Sequence, residues 1–486
     1  MTGPDSFRFL NVERRISAAI DWNRADWSRL WLYNAHYFDD LVAAEAASRT
    51  GWHRALVARW VAENPPGQGA GWEPYPISLR IVNWVKWFLA GNALDDSARH
   101  SLAVQARFLR KRLEIHLLGN HLWANAKALV FAGAFFEGSE ADGWREAGLR
   151  LLRRELAEQV LRDGGHFERS PMYQAIVLGD ILDLLQLSVL FPGLFDPFDA
   201  TCWRDAAIRM RRWLRIMSHP DGDFAFFNDA AFGIAPNFAA LAAYADALGL
   251  PPDNAPLDDV EALTDSGYVR LQRGPAVMIA DVGAIGPDHL PGHAHADTLS
   301  FELSLQGRRV LVNGGTSLYE PGHERLRQRG TAAHNTVVVD GQDSSEVWSS
   351  FRVARRARVF DVGWEKESGS LRLDAAHDGY RRLPGRVIHR RNWRLSADWL
   401  QITDLLHGRW KSAVSCWHVH PDLRIRKNGN NILLVDGLGK TITLSAVGDG
   451  AELAADNWHP EFGVSLPSTS LRIQISDPSS CVTIAW

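Results

Sequence analysis

The chain has 486 residues, 46% of them hydrophobic and 23% charged, with a formal net charge of −4. Such a composition fills more than one apolar core without covalent staples and excludes a mostly disordered chain. The lack of a basic excess excludes a nucleic-acid binder that works through its overall charge. The three cysteines, Cys202, Cys416 and Cys481, are odd in number and widely spaced, so neither a disulfide framework nor a thiolate metal site is expected.

No unbroken run of 18 apolar residues occurs, and Met1 to Asn11 lack the basic-then-apolar layout of a secretory leader. No membrane span is expected. The compartment stays open: cytoplasmic, or periplasmic or secreted had a leader been removed.

From Asp21 to about Leu250 apolar residues recur three and four apart, notably over 102–117, 144–161, 173–191 and 238–248, which predicts helices. Three polar islands interrupt this pattern. The first, Trp72 to Trp84, offers Arg80, Asn83 and Trp84, and Trp123 follows further on. A guanidinium forks a carboxylate or sulfate, and indole faces stack on sugar rings, so these four are candidate substrate-binding residues. The second is Gly119-Asn120-His121, at the junction of two apolar runs. The third is Phe167 to Gln174, where Ser170-Pro171 signals a helix start and Tyr173 falls in its first turn. Glu168, Asp180, Asp223 and Asp229 are carboxylates of the type a glycoside hydrolase pairs.

The segment 249–256, with Pro251, Pro252 and Pro256, cannot continue a helix. Beyond it the period becomes two, and short strands are predicted over 268–271, 300–305, 336–339, 400–403 and 441–444. Helices followed by strands imply segregated domains: a helical domain over 1–250, a linker over 251–265 and a strand domain over 266–486. The strand half carries the densest motif. His293-Ala294-His295-Ala296-Asp297 puts two imidazoles on one side of an extended segment. Asn313-Gly314-Gly315-Thr316 and Ala333-His334-Asn335-Thr336 follow. Three histidines so disposed suit a metal site or a catalytic pair.

Taken in order, Gly119-Asn120-His121, Ser170-Pro171-Met172-Tyr173, His293-Ala294-His295-Ala296-Asp297, Asn313-Gly314-Gly315-Thr316 and Ala333-His334-Asn335-Thr336-Val337-Val338-Val339-Asp340-Gly341 resemble the heparinase II/III superfamily of polysaccharide lyases. The resemblance implies an N-terminal incomplete (α/α) toroid followed by a C-terminal antiparallel β-sandwich, with the active cleft between them. It implies β-elimination on an anionic uronate polysaccharide: hyaluronan, chondroitin, heparan sulfate or alginate. In these terms Asn120 and His121 neutralise the uronate carboxylate, Tyr173 carries the proton and His293 is a second acid/base. Abstraction of the C5 proton makes an enolate-like carboxylate that needs donors. A tyrosine can act as base if its neighbours lower its pKa.

The resemblance further implies a divalent metal held by His295, Asn313 and His334. The family's middle ligand is usually an aspartate, so Asn313 is a departure that leaves zinc and manganese both open. The family also carries an aromatic hydroxyl shortly before the last histidine. This chain has Arg325, Arg327 and Arg329 there; Arg327 is a candidate polymer contact, and Tyr319 is the candidate replacement hydroxyl. Two other functions compete: a glycoside hydrolase on the same scaffold, and a non-catalytic exopolysaccharide-binding or assembly protein.

Overall fold

A computed structural model describes residues 1–428, 431–436, 439–447 and 451–486. The chain divides into two compact units, Met1–Gln159 with Asp180–Arg204, and Val160–Gly179 with Asp205–Trp486. The unit that holds the strands thus begins before the proline-rich segment, because residues 160–179 are tied to it. Asp163 Oδ2 accepts from the amides of Asp265 and Ser266, and the Tyr268 hydroxyl donates to the Arg169 carbonyl.

The first unit is built on the helices Arg29–Tyr37, Thr50–Glu63, Pro74–Leu89, Asp96–Arg110, Gly119–Phe135 and Ser139–Gln159. Local chemistry sets their starts: Asp95 accepts from the Ala98 amide at 2.8 Å, and Pro74 occupies a first turn where its missing N–H costs nothing. The helix predicted over 102–117 stops at Arg110, and the chain then turns, with Leu118 in the left-handed region, so that Gly119 can open the next helix. Gly148 lets two helices close on each other, since a Cβ there would lie 2.6 Å from the Ala126 carbonyl oxygen. Buried indoles fill the interior, with Trp60 stacked against Trp72 and edge-on to Trp84.

The helix Pro171–Leu190 is long and apolar enough, by length and composition alone, to cross a membrane. Most of it is buried, which marks the core helix of a folded domain.

The second unit is a pair of antiparallel sheets. One runs Ala451–Trp458, Leu466–Gln474, Ala413–Val419, Arg308–Leu311, Phe301–Leu305, Ala276–Asp281, Tyr268–Arg273, Val260–Leu263, with Val337–Val339 also on Ala413–Val419. The other runs Val359–Glu367, Ser370–His377, Ile388–Leu395, Trp399–His407, Ser479–Ala485, Thr441–Val447, Asn431–Val435, Arg424–Asn428. Met278, Phe301, Leu303, Trp417 and Leu471 of the first sheet share one core with Leu371, Leu373, Trp393, Ile402 and Ile484 of the second. This is a β-sandwich. Alternation is strict in Ile388–Leu395, which buries His389, Arg391, Trp393 and Leu395.

Candidate active site

Within the second unit, the stretches that carry Ser170 and Tyr173, His293 and His295, and Arg325 gather around Asp229. Ser170 caps the helix Pro171–Leu190, its Oγ accepting from the Tyr173 amide at 3.2 Å and donating to the Asp229 carbonyl. That bond fixes Tyr173 in the first turn beside Asp229. The Asp229 amide in turn donates to the His293 carbonyl at 3.0 Å. Gly315, at φ +75°, passes so close to the His459 carbonyl that a Cβ would lie 2.1 Å from its oxygen, which explains the glycine of that motif.

Asp229 is fully buried and accepts from both imidazoles of the His293-Ala294-His295 motif, from His293 Nδ1 at 2.9 Å and His295 Nε2 at 2.9 Å. Arg325 closes the arrangement with a bidentate pair at 2.5 and 2.7 Å. Burial alone would raise the Asp229 carboxyl, but the guanidinium and the two imidazole bonds hold it well below the usual carboxylate range. An ionised carboxylate accepts only, so His293 donates to it from Nδ1, and Nε2 is the ring nitrogen left for other partners. That nitrogen lies 3.7 Å from Glu168 Oε2.

The Tyr173 and His293 rings are 4.1 Å apart, and the Tyr173 hydroxyl lies 3.1 Å from that of Tyr319. Arg325 stands over the Tyr319 ring at 5.0 Å, and Phe351 covers both Tyr319 and His293. Burial, then the Tyr319 hydroxyl and the Asp229 and Glu168 carboxylates, push the Tyr173 phenol well above its ordinary value. These surroundings favour the neutral, proton-donating form of the Tyr173 phenol.

Of the expected metal ligands, His295 Nδ1 and His334 Nε2 face each other 3.3 Å apart in a buried site. His295 Nε2 is held by a carboxylate, the usual support of a metal-ligating imidazole. The Asn313 amide is oriented by donation to the Phe226 carbonyl at 2.8 Å, and its Oδ1 meets the Asn335 amide at 3.3 Å. Among the described residues no group of three His, Cys, Asp or Glu side chains could hold a metal ion. The donor set fits two imidazoles plus a neutral amide, without the anionic ligand that favours tight binding.

The substrate-binding expectations fare differently. Arg80 is fully buried, bonded to Gln105 Oε1 and to the His36 and Gly71 carbonyls, and packed 3.8 Å from the Trp60 ring centre. Trp84 and Trp123 are fully buried, and Asn83 is spent on the Tyr37 carbonyl and Asp39. These four belong to the packing of the first unit, not to a polymer-contacting surface. Arg325 and Arg329 are also sunk, Arg329 donating to the carbonyls of Ala294 and Ser349. Arg327 is half-exposed but engaged by Glu324, Asp456 and His459. All three guanidiniums are thus engaged within the protein, Arg327 included.

In the first unit, Asn120 and His121 occupy the first turn of Gly119–Phe135. His121 Nδ1 lies 3.1 Å from Glu114 Oε1, and the Tyr75 ring lies 4.5 Å from the imidazole. Asn125 locks Glu114 by donating to it at 3.0 Å while accepting from its amide at 2.8 Å. Asn120 is buried, whereas His121 keeps an exposed edge.

A helical half followed by a two-sheet sandwich, with a Tyr–His–carboxylate cluster in its strand-bearing unit, defines a toroid-and-sandwich protein. The chain belongs to the heparinase II/III family: the model of the heparinase II/III N-terminus matches residues 8–257, and that of the heparinase II/III-like C-terminal part matches residues 255–486. It is 23% identical over 347 residues to a heparin-sulfate lyase of Bacteroides stercoris, across 66% of this chain and 49% of that protein. The chain thus spans about half the length of that relative. It is 27% identical over 443 residues to FtsZ-localized protein C of Caulobacter vibrioides, across 85% of this chain and 74% of that one. The fold matches a crystal structure of heparinase III with a TM-score of 0.73 at 17% identity, over 98% of this chain and 78% of that one.

Proposed function

We propose that this protein is a polysaccharide lyase that cleaves uronate-containing glycosaminoglycan chains by β-elimination. The observation that carries this reading is the neutral Tyr173 phenol lying against an imidazole whose Nδ1 proton is held by an ionised, arginine-clamped carboxylate. His293 Nε2 takes the C5 proton of the uronate, and the electron pair moves into the carboxylate-stabilised enolate. The C4–O4 bond then breaks, O4 receives the Tyr173 proton and a C4–C5 double bond remains. Tyr319 donates to the phenolate left behind, and the imidazolium returns its proton to Tyr173 to reset the site. To Asn120 and His121 the family resemblance gives the role of neutralising the uronate carboxylate.

His295 Nδ1 and His334 Nε2 would hold a divalent ion, zinc or manganese, with the Asn313 carbonyl as a neutral third ligand. When bound, such an ion would supply a structural brace and no chemistry. After dialysis against a chelator, wild type should lose metal and thermal midpoint together; Asn313→Asp should bind more tightly and His334→Ala more weakly. A wild type that holds no ion and gains no stability from zinc or manganese leaves the three residues as a hydrogen-bonded cluster.

The test of the activity is ultraviolet absorbance on heparan sulfate, chondroitin, hyaluronan and alginate, because elimination leaves an unsaturated uronate end and hydrolysis does not. A second reading is favoured by one observation: the relative matched over 85% of this chain carries a name that describes localisation with FtsZ, not catalysis. On that reading the chain binds polymer without cleaving it, and every substrate gives a flat trace while binding persists.

A further inference from the structure

The sandwich has a second place suited to an anionic chain, and it lies where the sequence did not put one. The strands Val359–Glu367, Ser370–His377 and Ile388–Leu395 are neighbours, with Val359 opposite His377 and His377 opposite His389. The segments that enter or leave them at that end therefore gather together. They form an open groove of about 690 Å³ lined by Arg355, Arg356, Arg381, Arg382 and Arg386, with Asp378 as its one acidic residue.

Internal pairing uses up only part of this charge. Arg355 is matched by Glu346, and Arg356 by Asp288 and the Pro287 carbonyl. Arg382 is anchored on the carbonyls of Asp343, Ser344 and Gly379, and lies 3.8 Å from Glu346. Asp378 spends its Oδ1 on the Arg358 amide at 2.9 Å. Arg381 and Arg386 are exposed and have no ion pair among the described residues. Two free guanidiniums thus sit beside three held in fixed positions, an arrangement that favours planar recognition of sulfate or carboxylate.

We infer that this groove is an accessory subsite for a sulfated or carboxylated glycan strand. The lining contains no aromatic residue, whereas single-stranded nucleic acid is gripped by charge together with base stacking. Its position supports a link to the catalytic cluster. Phe351 covers His293 and Tyr319, and Arg355 follows four residues later, so at most about 14 Å of chain separates the Phe351 backbone from the start of the groove. Arg356 also anchors Pro287 and Asp288, in the segment that leads to His293. The role in polymer capture rests on the polysaccharide reading given above.

The test uses the full chain, wild type and Arg381→Ala/Arg386→Ala, titrated with a heparin-derived dodecasaccharide at several salt concentrations, with turnover measured separately on a tetrasaccharide. The double variant should bind the dodecasaccharide about ten-fold more weakly at low salt. Its log K against log salt slope should be shallower by roughly 1–2, as two lost contacts to a polyanion require. Tetrasaccharide turnover should be unchanged. Arg381→Lys/Arg386→Lys should keep the slope while losing part of the affinity. Unchanged affinity and slope in the alanine variant would overturn the subsite, as would stronger binding of a single-stranded oligonucleotide than of the dodecasaccharide at this groove. If no uronate polymer is cleaved but the variant still loses affinity, the catalytic reading fails and the subsite stands; cleavage with an unchanged slope gives the reverse.

Discussion

The sandwich contains the same four-membered polar chain twice. In one, His334 meets His295 at 3.3 Å, His295 meets Asp229 at 2.9 Å, and Arg325 clamps Asp229. In the other, His377 meets His389 at 3.2 Å, His389 meets Asp404 at 2.7 Å, and Arg391 clamps Asp404 at 2.6 and 3.0 Å. Both carboxyls are held below their ordinary range against burial by the arginine and imidazole around them. They differ in where they end. Asp404 finishes in the core, its arginine spending its remaining donors on the carbonyls of Leu299 and Asn335. Asp229 has a further imidazole partner, His293, whose side chain is 15% exposed and lies against the Tyr173 ring. A buried ion pair braces a fold in either place, and it serves chemistry only where it orients a group that a substrate can reach.

That contrast can be broken by mutation. Tyr173→Phe removes only the hydroxyl proposed as the proton donor, so turnover should fall ~10²–10⁴-fold while the thermal midpoint and polymer binding stay near wild type. Retention of more than a third of wild-type turnover would remove Tyr173 from the mechanism. Asp229→Asn should lower turnover by up to about 10⁴-fold, because the amide no longer dictates the His293 tautomer. Asp404→Asn, by contrast, should leave turnover per folded molecule intact and cost about 3–5 kcal/mol of stability, since Arg391 is left buried without its counter-charge. Equal activity losses in the two aspartate variants would erase the distinction between them. Asn120→Ala and His121→Ala should each lower turnover on the order of 10²–10³-fold, read as kcat, with little change in KM.

The sequence made the change from helical to two-residue periodicity legible, because amphipathic faces repeat at the spacing of their backbone. The motif residues Tyr173, His293, His295 and His334 were legible for a similar reason, being unusual groups on short, regular segments. Burial was not. Nothing in the order Arg325-Leu326-Arg327-Gln328-Arg329 reveals that two of these guanidiniums are sunk onto carbonyls and a carboxylate, or that the free ones lie at Arg381 and Arg386. Arg80, Trp84 and Trp123 were misread in the same way, since stacking on a sugar and packing in a core call for the same residues. Asp229 appeared only as one acid among several. Its role comes from a 64-residue separation to His293 that folding closes to 2.9 Å. Tyr319 was recognisable as a candidate hydroxyl, but only the fold brings it to Tyr173.

The smallest expected effect concerns pH. Burial, together with neighbouring positive charge, holds the His377 and His389 imidazoles below their ordinary values. In the unfolded chain they titrate near ~6.5, so below that pH the unfolded state binds more protons and stability falls as pH drops toward the depressed folded values. The thermal midpoint should therefore decline between about pH 7 and 5, and His377→Gln should flatten part of that decline. A midpoint that rises over this interval would contradict the assignment of neutral imidazoles.

We propose that an imidazole oriented by Asp229 acts with Tyr173 in a β-elimination. Its most direct test is a stopped reaction of wild type and Tyr173→Phe with heparan sulfate, followed by ultraviolet absorbance and by mass analysis of the new chain ends. Absorbing ends that lack one water relative to hydrolysis products should form with wild type and be nearly absent with Tyr173→Phe. Saturated ends, or equal absorbance from both proteins, would contradict it.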